Sequence, residues 1–500
     1  MTSIPSRITH WVGGESWRDA PERTAPVTNP ATGAVTGHVD LASVHVVDSA
    51  VTSARTAWED GWGRSSLSRR TSVLFAFREL LHRHTDRIAA LVTAEHGKVL
   101  ADARGEVARG LEVAELACGI PSLLQGAASD SVATDLDVRS LRQPLGVVAV
   151  ITPFNFPVMV PLWFVPVALA CGNTVVLKPS EKDPSAALAV ARLWTEAGLP
   201  DGALSVVHGD GEAVDALIAH EDVAAVSFVG STPVARHVHE VATSRGKRVQ
   251  ALGGAKNHMF VLPDADLDQA ADAAVSAGFG SAGERCMAIS AVVVHEAVAD
   301  DLVARIAERT RALRTGDGST GADMGPLVTA EHRDRVRSFV DGAAGEGATV
   351  VVDGREGPVD GTQSGFFLPP TLLDHVGPAM AVYVEEIFGP VLSVLRVGSF
   401  DAGLRLINAH RYGNGAAIFT RDGASARRFE REVEVGMVGV NVPIPVPAAH
   451  FSFGGWKDSL FGDLHAYGPD GVSFFTRGKV VTTRWPSADA GVDLGFPTHR

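Results

Sequence analysis

The sequence predicts an α/β protein with two doubly wound α/β domains. Two alternating series of strands and helices predict the domains, and two stray segments of period-two alternation fit neither series. In the first series, residues 147–152, 174–178, 204–208 and 224–229 are short β-branched runs, apolar as buried parallel strands must be. Residues 184–198 and 233–244 carry helical spacing and serve as crossovers. The second series has strands at 258–262, 291–295, 349–353, 391–397, 416–420 and 437–441, with helices near 266–277, 298–313, 329–344, 401–410 and 424–433. Ligands of such sheets bind beyond the C-terminal ends of the strands. The leading segment 58–124 reads as helical and packs on one of the two sheets. Segments 135–145 and 471–485 alternate like exposed-edge strands, and a partner subunit is one way to cover such edges.

Length and composition agree with this division. A chain of 500 residues exceeds one hydrophobic core. With 45% hydrophobic and 20% charged residues, disorder is excluded. The net charge, 44 − 58 = −14, with no basic run beyond two residues, speaks against nucleic acid and anionic membranes as partners. Cys118, Cys171 and Cys286 are too few for a disulfide framework or a four-thiolate zinc site, so no metal is expected. The first residues hold no apolar stretch of signal-peptide length, which places the protein in the cytoplasm. Residues 145–177 form a 33-residue stretch without Asp, Glu, Lys or Arg, long enough to span a bilayer. Pro153, Pro157, Pro161 and Pro166 interrupt it, so it reads as a buried strand, an irregular turn and a buried helix ending at Cys171-Gly172-Asn173.

Four motifs carry chemistry. In VSFVGSTPVARHVHE a strand ends at Gly230, and Ser231, Thr232 and Pro233 open a helix. Its free N–H groups suit a pyrophosphate, although the three-glycine fingerprint is absent and an ordinary capped helix reads the same way. Lys178 ends a strand, and Glu181 follows three residues on; together they suit a ribose, or simply pair at the surface. Cys286 lies among small residues with Arg285 before it, a setting that favours the thiolate, while an isolated cysteine can equally be a core thiol. Asn155, on a turn between two prolines, is an oxyanion donor or a residue that satisfies the turn.

Taken in order, these motifs resemble the NAD(P)-dependent aldehyde dehydrogenase superfamily. The resemblance runs from Asn29-Pro30-Ala31-Thr32-Gly33 to Phe453-Gly454-Gly455-Trp456-Lys457 and includes EEIFGPV at 385–391. It implies that Cys286 attacks an aldehyde, with Asn155 and the Cys286 N–H as oxyanion donors. It also implies a cofactor site of Phe154, Lys178, Glu181, Gly230, Ser231, Glu386 and Phe388 for NAD; Glu181 would repel a 2′-phosphate. The implied domains are 1–123 with 146–253 for the cofactor, 254–460 for catalysis, and 124–145 with 461–500 for a small β oligomerisation module and C-terminal tail, giving a homotetramer.

One departure is informative. Hydrolytic members carry a glutamate in an E-L-G-G-K pattern that activates water. Here the stretch is QALGGAKNH at 250–258, with Leu252, or Ala251 if shifted by one, at the glutamate position. Neither is a base. GAKNH, ERCMA, GVNVPIPVP and RGLEVAELACG are similar to the coenzyme A-acylating methylmalonate-semialdehyde dehydrogenase subfamily. That likeness implies coenzyme A as acyl acceptor, with Arg109 and Arg285 holding the substrate carboxylate. His450, beside the expected substrate tunnel, reads as a tunnel-mouth histidine rather than a substitute base.

Overall fold

Buried parallel strands take their side chains from both faces, so the apolar runs of the first series become the centre of an eight-stranded sheet. The computed structural model describes residues 6–362 and 364–485; segments 1–5 and 486–500, assigned above to the first domain and the tail, lie outside the described residues. The first sheet runs Leu460–Phe461, Arg248–Leu252, Val223–Val229, Val147–Ile151, Thr174–Lys178, Leu204–Val206, Trp11–Val12, Glu15–Ser16. Its five central strands are parallel, and the short outer ones are antiparallel. Val148, Val150 and Val175 face one apolar cluster, while Val147, Ala149, Ile151 and Val176 face another, as period-two alternation requires. The order of strands reverses between Val147–Ile151 and Val223–Val229. That is the topological switch point, where a crevice opens at the C-terminal ends.

The second sheet has seven strands, in the order Thr349–Val352, Thr371–Asp374, Val391–Val397, Ile289–His295, Asn257–Val261, Gly415–Phe419, Met437–Val440. All pairs are parallel except the outermost, Thr349–Val352 with Thr371–Asp374. The fold is thus α/β with two doubly wound sheets, as the alternation predicts. Among the described residues no helix is long and apolar enough to cross a membrane. The uncharged stretch divides into the strand Val147–Ile151, a turn, and the helix Met159–Ala170, which is buried on every side. Helices Leu67–Arg83, Thr85–His96 and Leu100–Cys118 pack against that helix and Ser185–Glu196, in the core on one face of the first sheet.

Three local expectations need correction. The strands Arg248–Leu252 and Thr371–Asp374 were absent from the sequence reading. So was the N-terminal sheet of Arg7–Ile8, Ala34–Leu41 and Arg23–Asn29. Segment 471–485 is not strand throughout: Gly468–Phe474 is a helix started by Pro469, and only Thr476–Arg484 is extended. That strand pairs antiparallel with Leu136–Pro144, which pairs with Ala128–Ala133, giving a separate three-stranded sheet.

Asn173 ties this small sheet to the body. Its Oδ1 accepts from the N–H groups of Leu145 (2.7 Å) and Gly146 (3.2 Å), and its Nδ2 donates to the carbonyls of Ala168 (3.1 Å) and Phe475 (2.9 Å). The side chain is fully buried, so water cannot replace these bonds. Asn173→Ala is expected to lower the unfolding free energy by about 3 kcal/mol in urea titrations followed by tryptophan fluorescence; a change under about 0.5 kcal/mol would contradict this role.

Candidate active site

One helix organises the site. Lys98, just ahead of Leu100–Cys118, and Asp102, Glu106 and Arg109 on it recur at intervals of four, four and three residues. That spacing puts them on one face. All four line a cavity of about 380 Å³ together with Phe156, Trp163, Arg285, Cys286, Ile444 and Phe453. Lys98 Nζ donates to Glu106 Oε2 (2.7 Å) and to the carbonyl of Asn155 (2.5 Å). The other oxygen, Glu106 Oε1, accepts from the N–H groups of Val158 (2.8 Å) and Met159 (3.1 Å), at the start of the buried helix. The turn after the strand Val147–Ile151 is thereby pinned through its backbone. The Asn155 side chain is 3% exposed and makes no hydrogen bond among the described residues, so its amide is available to a ligand oxygen.

The loop before Cys286 is shaped by left-handed backbone at Ser281 (φ 53°), Ala282 (φ 52°) and Gly283 (φ 73°). Two such residues that are not glycine are costly, and they persist because the surroundings dictate them. A Cβ on Gly283 would lie 2.2 Å from the carbonyl oxygen of Gly389, so only glycine fits there. The Cys286 carbonyl accepts from Asn257 Nδ2 (2.8 Å) and Asn414 Nδ2 (3.0 Å), which tether the loop to the second sheet. Burial pushes the Cys286 thiol up to about 12, the negative charge of Glu386 adds to this, and the N–H groups of Cys286 and Met287 oppose it. Arg285 lowers the thiol as expected, but its influence is the smallest of these; its guanidinium pairs with Asp102 at 2.7 Å. Cys118 and Cys171 are buried, and burial raises both thiols, as inert core cysteines.

The residues read as a cofactor site lie along the C-terminal edge of the first sheet and on the loop facing it. Lys178 ends its strand, is 6% exposed, and sits 3.4 Å from Glu181 Oε2. Desolvation lowers the Lys178 ammonium. Gly230 donates to the Leu252 carbonyl, and a Cβ there would strike the Phe228 ring at 2.5 Å. Ser231 occupies the N-cap of Thr232–Ser244 without a side-chain cap bond, which leaves N–H groups of the first turn to a ligand. Glu386 Oε1 accepts from Ala255 N–H (2.9 Å), and burial raises its carboxyl to about 7. Its approach requires Gly254, where a Cβ would lie 2.4 Å from Glu386 Oε2. Phe154 and Phe388 meet edge to face at 5.9 Å, one from each half of the molecule. A narrow cleft lined by Arg285, Cys286, Glu386 and Phe388 adjoins the larger cavity, which shares Arg285 and Cys286. An anion-binding helix start, a Lys–Glu pair and a second acid at one edge fit a dinucleotide.

Arg109 and Arg285 both line the larger cavity. Arg109 donates to Glu112 (2.6 Å) and to the Pro447 carbonyl (3.0 Å). Leu252 and Ala251 point to opposite faces of their strand. Leu252 joins the cluster against which Cys286 packs, and Ala251 joins the other. Both positions at which a water-activating acid is expected are therefore apolar. His450 is exposed, lies tilted against Phe451 at 4.7 Å and does not line the cavity. The sequence reading passed over Lys98, Asp102, Glu106, Asn257 and Asn414. It also missed Glu284, a buried acid raised to about 8 by desolvation and 3.6 Å from both His96 and His332. The stripe K98, D102, E106, R109 was the available signal for three of them.

A cysteine that lines both a wide cavity and a narrow cleft beside the C-terminal edge of the first sheet has the layout of a thiol-dependent dehydrogenase. The chain belongs to the aldehyde dehydrogenase family, whose model matches residues 17–481. It is 55% identical over 495 residues to a malonate-semialdehyde dehydrogenase of Pseudomonas aeruginosa, covering 98% of this chain and 99% of that one. The crystal structure of a methylmalonate-semialdehyde dehydrogenase from Oceanimonas doudoroffii superposes with a TM-score of 0.95 at 52% identity, covering 97% of this chain and 99% of that one. A proposed methylmalonate-semialdehyde dehydrogenase of Sinorhizobium meliloti, solved with NAD, gives 0.95 at 48%, covering 98% and 100%.

The raised Cys286 thiol has a direct consequence. Only the thiolate alkylates, so inactivation of the free enzyme by iodoacetamide is expected to accelerate about tenfold per pH unit through pH 9. A plateau below pH 8 would show a thiolate already formed.

Proposed function

We propose that this chain oxidises malonate or methylmalonate semialdehyde with NAD and passes the acyl group to coenzyme A, with decarboxylation to acetyl- or propionyl-coenzyme A. The observation that carries the reading is a single cavity holding Cys286, Arg109 and Arg285, with apolar Leu252 and Ala251 where the water-activating acid is expected. The names of the relatives support it.

Cys286 is the nucleophile. Its sulfur loses a proton and bonds to the aldehyde carbon, and the developing oxyanion is met by the Asn155 amide and the Cys286 N–H. Lys178, Glu181, Gly230, Ser231 and Glu386, beside Phe154 and Phe388, would hold NAD, which when bound would supply a hydride acceptor; Cys286 keeps the acyl group as a thioester. Arg109 and Arg285 hold the carboxylate, a task for planar guanidinium groups rather than lysine. Leu252 places an apolar side chain where a water-activating acid would sit, so the thioester leaves to a thiol, coenzyme A. The eight-stranded sheet and its helices form the cofactor domain, and the seven-stranded sheet forms the catalytic domain. The three-stranded sheet, with Val480 70% and Trp485 77% exposed, joins subunits into a homotetramer. Reduced thiols at all three cysteines suit a cytoplasmic enzyme.

Arg109→Ala is expected to raise KM for methylmalonate semialdehyde at least about tenfold while leaving KM for propanal within about twofold, measured by NADH formation. Equal effects on both substrates would overturn the carboxylate clamp.

A further inference from the structure

We propose that Asp102 is a positioning residue for the carboxylate clamp, holding the Arg285 guanidinium on the cavity wall with two of its nitrogens free for the substrate. The proposal rests on the clamp reading above and assigns a partner that reading does not contain. Arg285 Nη2 donates to Asp102 Oδ1 at 2.7 Å, and Nε and Nη1 make no hydrogen bond among the described residues. The side chains are 21% and 28% exposed, so the pair lies at the wall of the cavity rather than out in solvent. Space for the guanidinium comes from Gly280, where a Cβ would fall 2.5 Å from Nη1.

Position gives the ion pair its effect. Asp102 stands in the first turn of Leu100–Cys118, where the helix dipole favours its negative charge. Arg109 is seven residues further along the same face. Arg285 belongs to the loop that carries Cys286. The Asp102–Arg285 pair therefore fixes the distance between the two guanidinium groups, and between both and the thiol. Without it, a long side chain with several free rotors would have to be ordered by the substrate itself, at a cost to affinity. Asp102 also brings a like charge near the incoming carboxylate. It occupies only one edge of the fork, so a bidentate contact remains open on another, and orientation outweighs repulsion.

The test uses Asp102→Asn, which keeps shape and removes charge. KM for methylmalonate semialdehyde is expected to rise about tenfold, with kcat and KM for propanal within about twofold of the parent. In an Arg285→Ala background the same change is expected to add less than about twofold, because the residue acts through Arg285. A parallel loss on both aldehydes, additivity with Arg285→Ala, or a fall in KM for the carboxylated substrate would each overturn the proposal. Asp102→Ser removes the charge with a smaller side chain and serves if the first variant does not accumulate. The two readings fail separately. If Arg285→Ala leaves the preference for carboxylated aldehydes intact, the clamp itself is wrong. If it abolishes the preference and Asp102→Asn does not touch it, only the positioning role falls.

Discussion

Lys98 and Glu106 meet at 2.7 Å with no solvent contact on either side chain, and the site is arranged around that pair. Neither charge could stay in the interior alone. Removing one partner of such a pair typically costs about 3–5 kcal/mol, because the other is left uncompensated. Here the remaining valences go to backbone. Lys98 takes the Asn155 carbonyl, and Glu106 takes the first N–H groups of the helix Met159–Ala170. A carboxylate at a helix start also matches the positive end of its dipole. The Asn155 turn thus owes its position to backbone contacts, which leaves its side-chain amide uncommitted. The same helix face carries Arg109 and Asp102. One rigid element sets the Asn155 turn, the Arg109 guanidinium and, through Asp102, that of Arg285 relative to one thiol.

Around this charged stripe the interior favours neutral forms. Burial raises Cys286 to about 12, Glu284 to about 8 and Glu386 to about 7, and lowers Lys256 to about 7. Leu252, buried in the cluster against which Cys286 packs, is apolar as well. An apolar side chain offers water no partner, while a thiol acceptor ionises near pH 8.5, far more readily than water. Acyl transfer to a thiol needs less from the protein than hydrolysis does.

The sheets were legible because buried parallel strands must be apolar runs, and the helices between them must show a period near 3.6. Arg248–Leu252 escaped because it begins on charged residues. Thr371–Asp374 escaped because four residues behind two prolines look like a loop. Gly471–Phe474 passed for strand because a short amphipathic helix and an edge strand share a pattern over four residues. At the site, Cys286, Asn155, Lys178 and Glu386 stand in local motifs whose chemistry can be read in place. Lys98 and Glu106 matter through a turn more than 50 residues away, and Asn414 reaches Cys286 across 128 residues. Contacts of that range come from topology, not from neighbouring letters. The reverse also holds: Arg285 beside Cys286 in sequence suggested an activated thiolate, and although Arg285 does lower the thiol, burial in three dimensions outweighs it.

The central claim is that the thioester on Cys286 leaves to coenzyme A. Its most direct test is NADH formation from methylmalonate semialdehyde by purified enzyme, with and without coenzyme A, while acyl-coenzyme A is measured alongside. Turnover that requires coenzyme A, with propionyl-coenzyme A appearing one for one with NADH, is the expected result. Equal turnover without coenzyme A would contradict the account and place an unseen base beside Leu252.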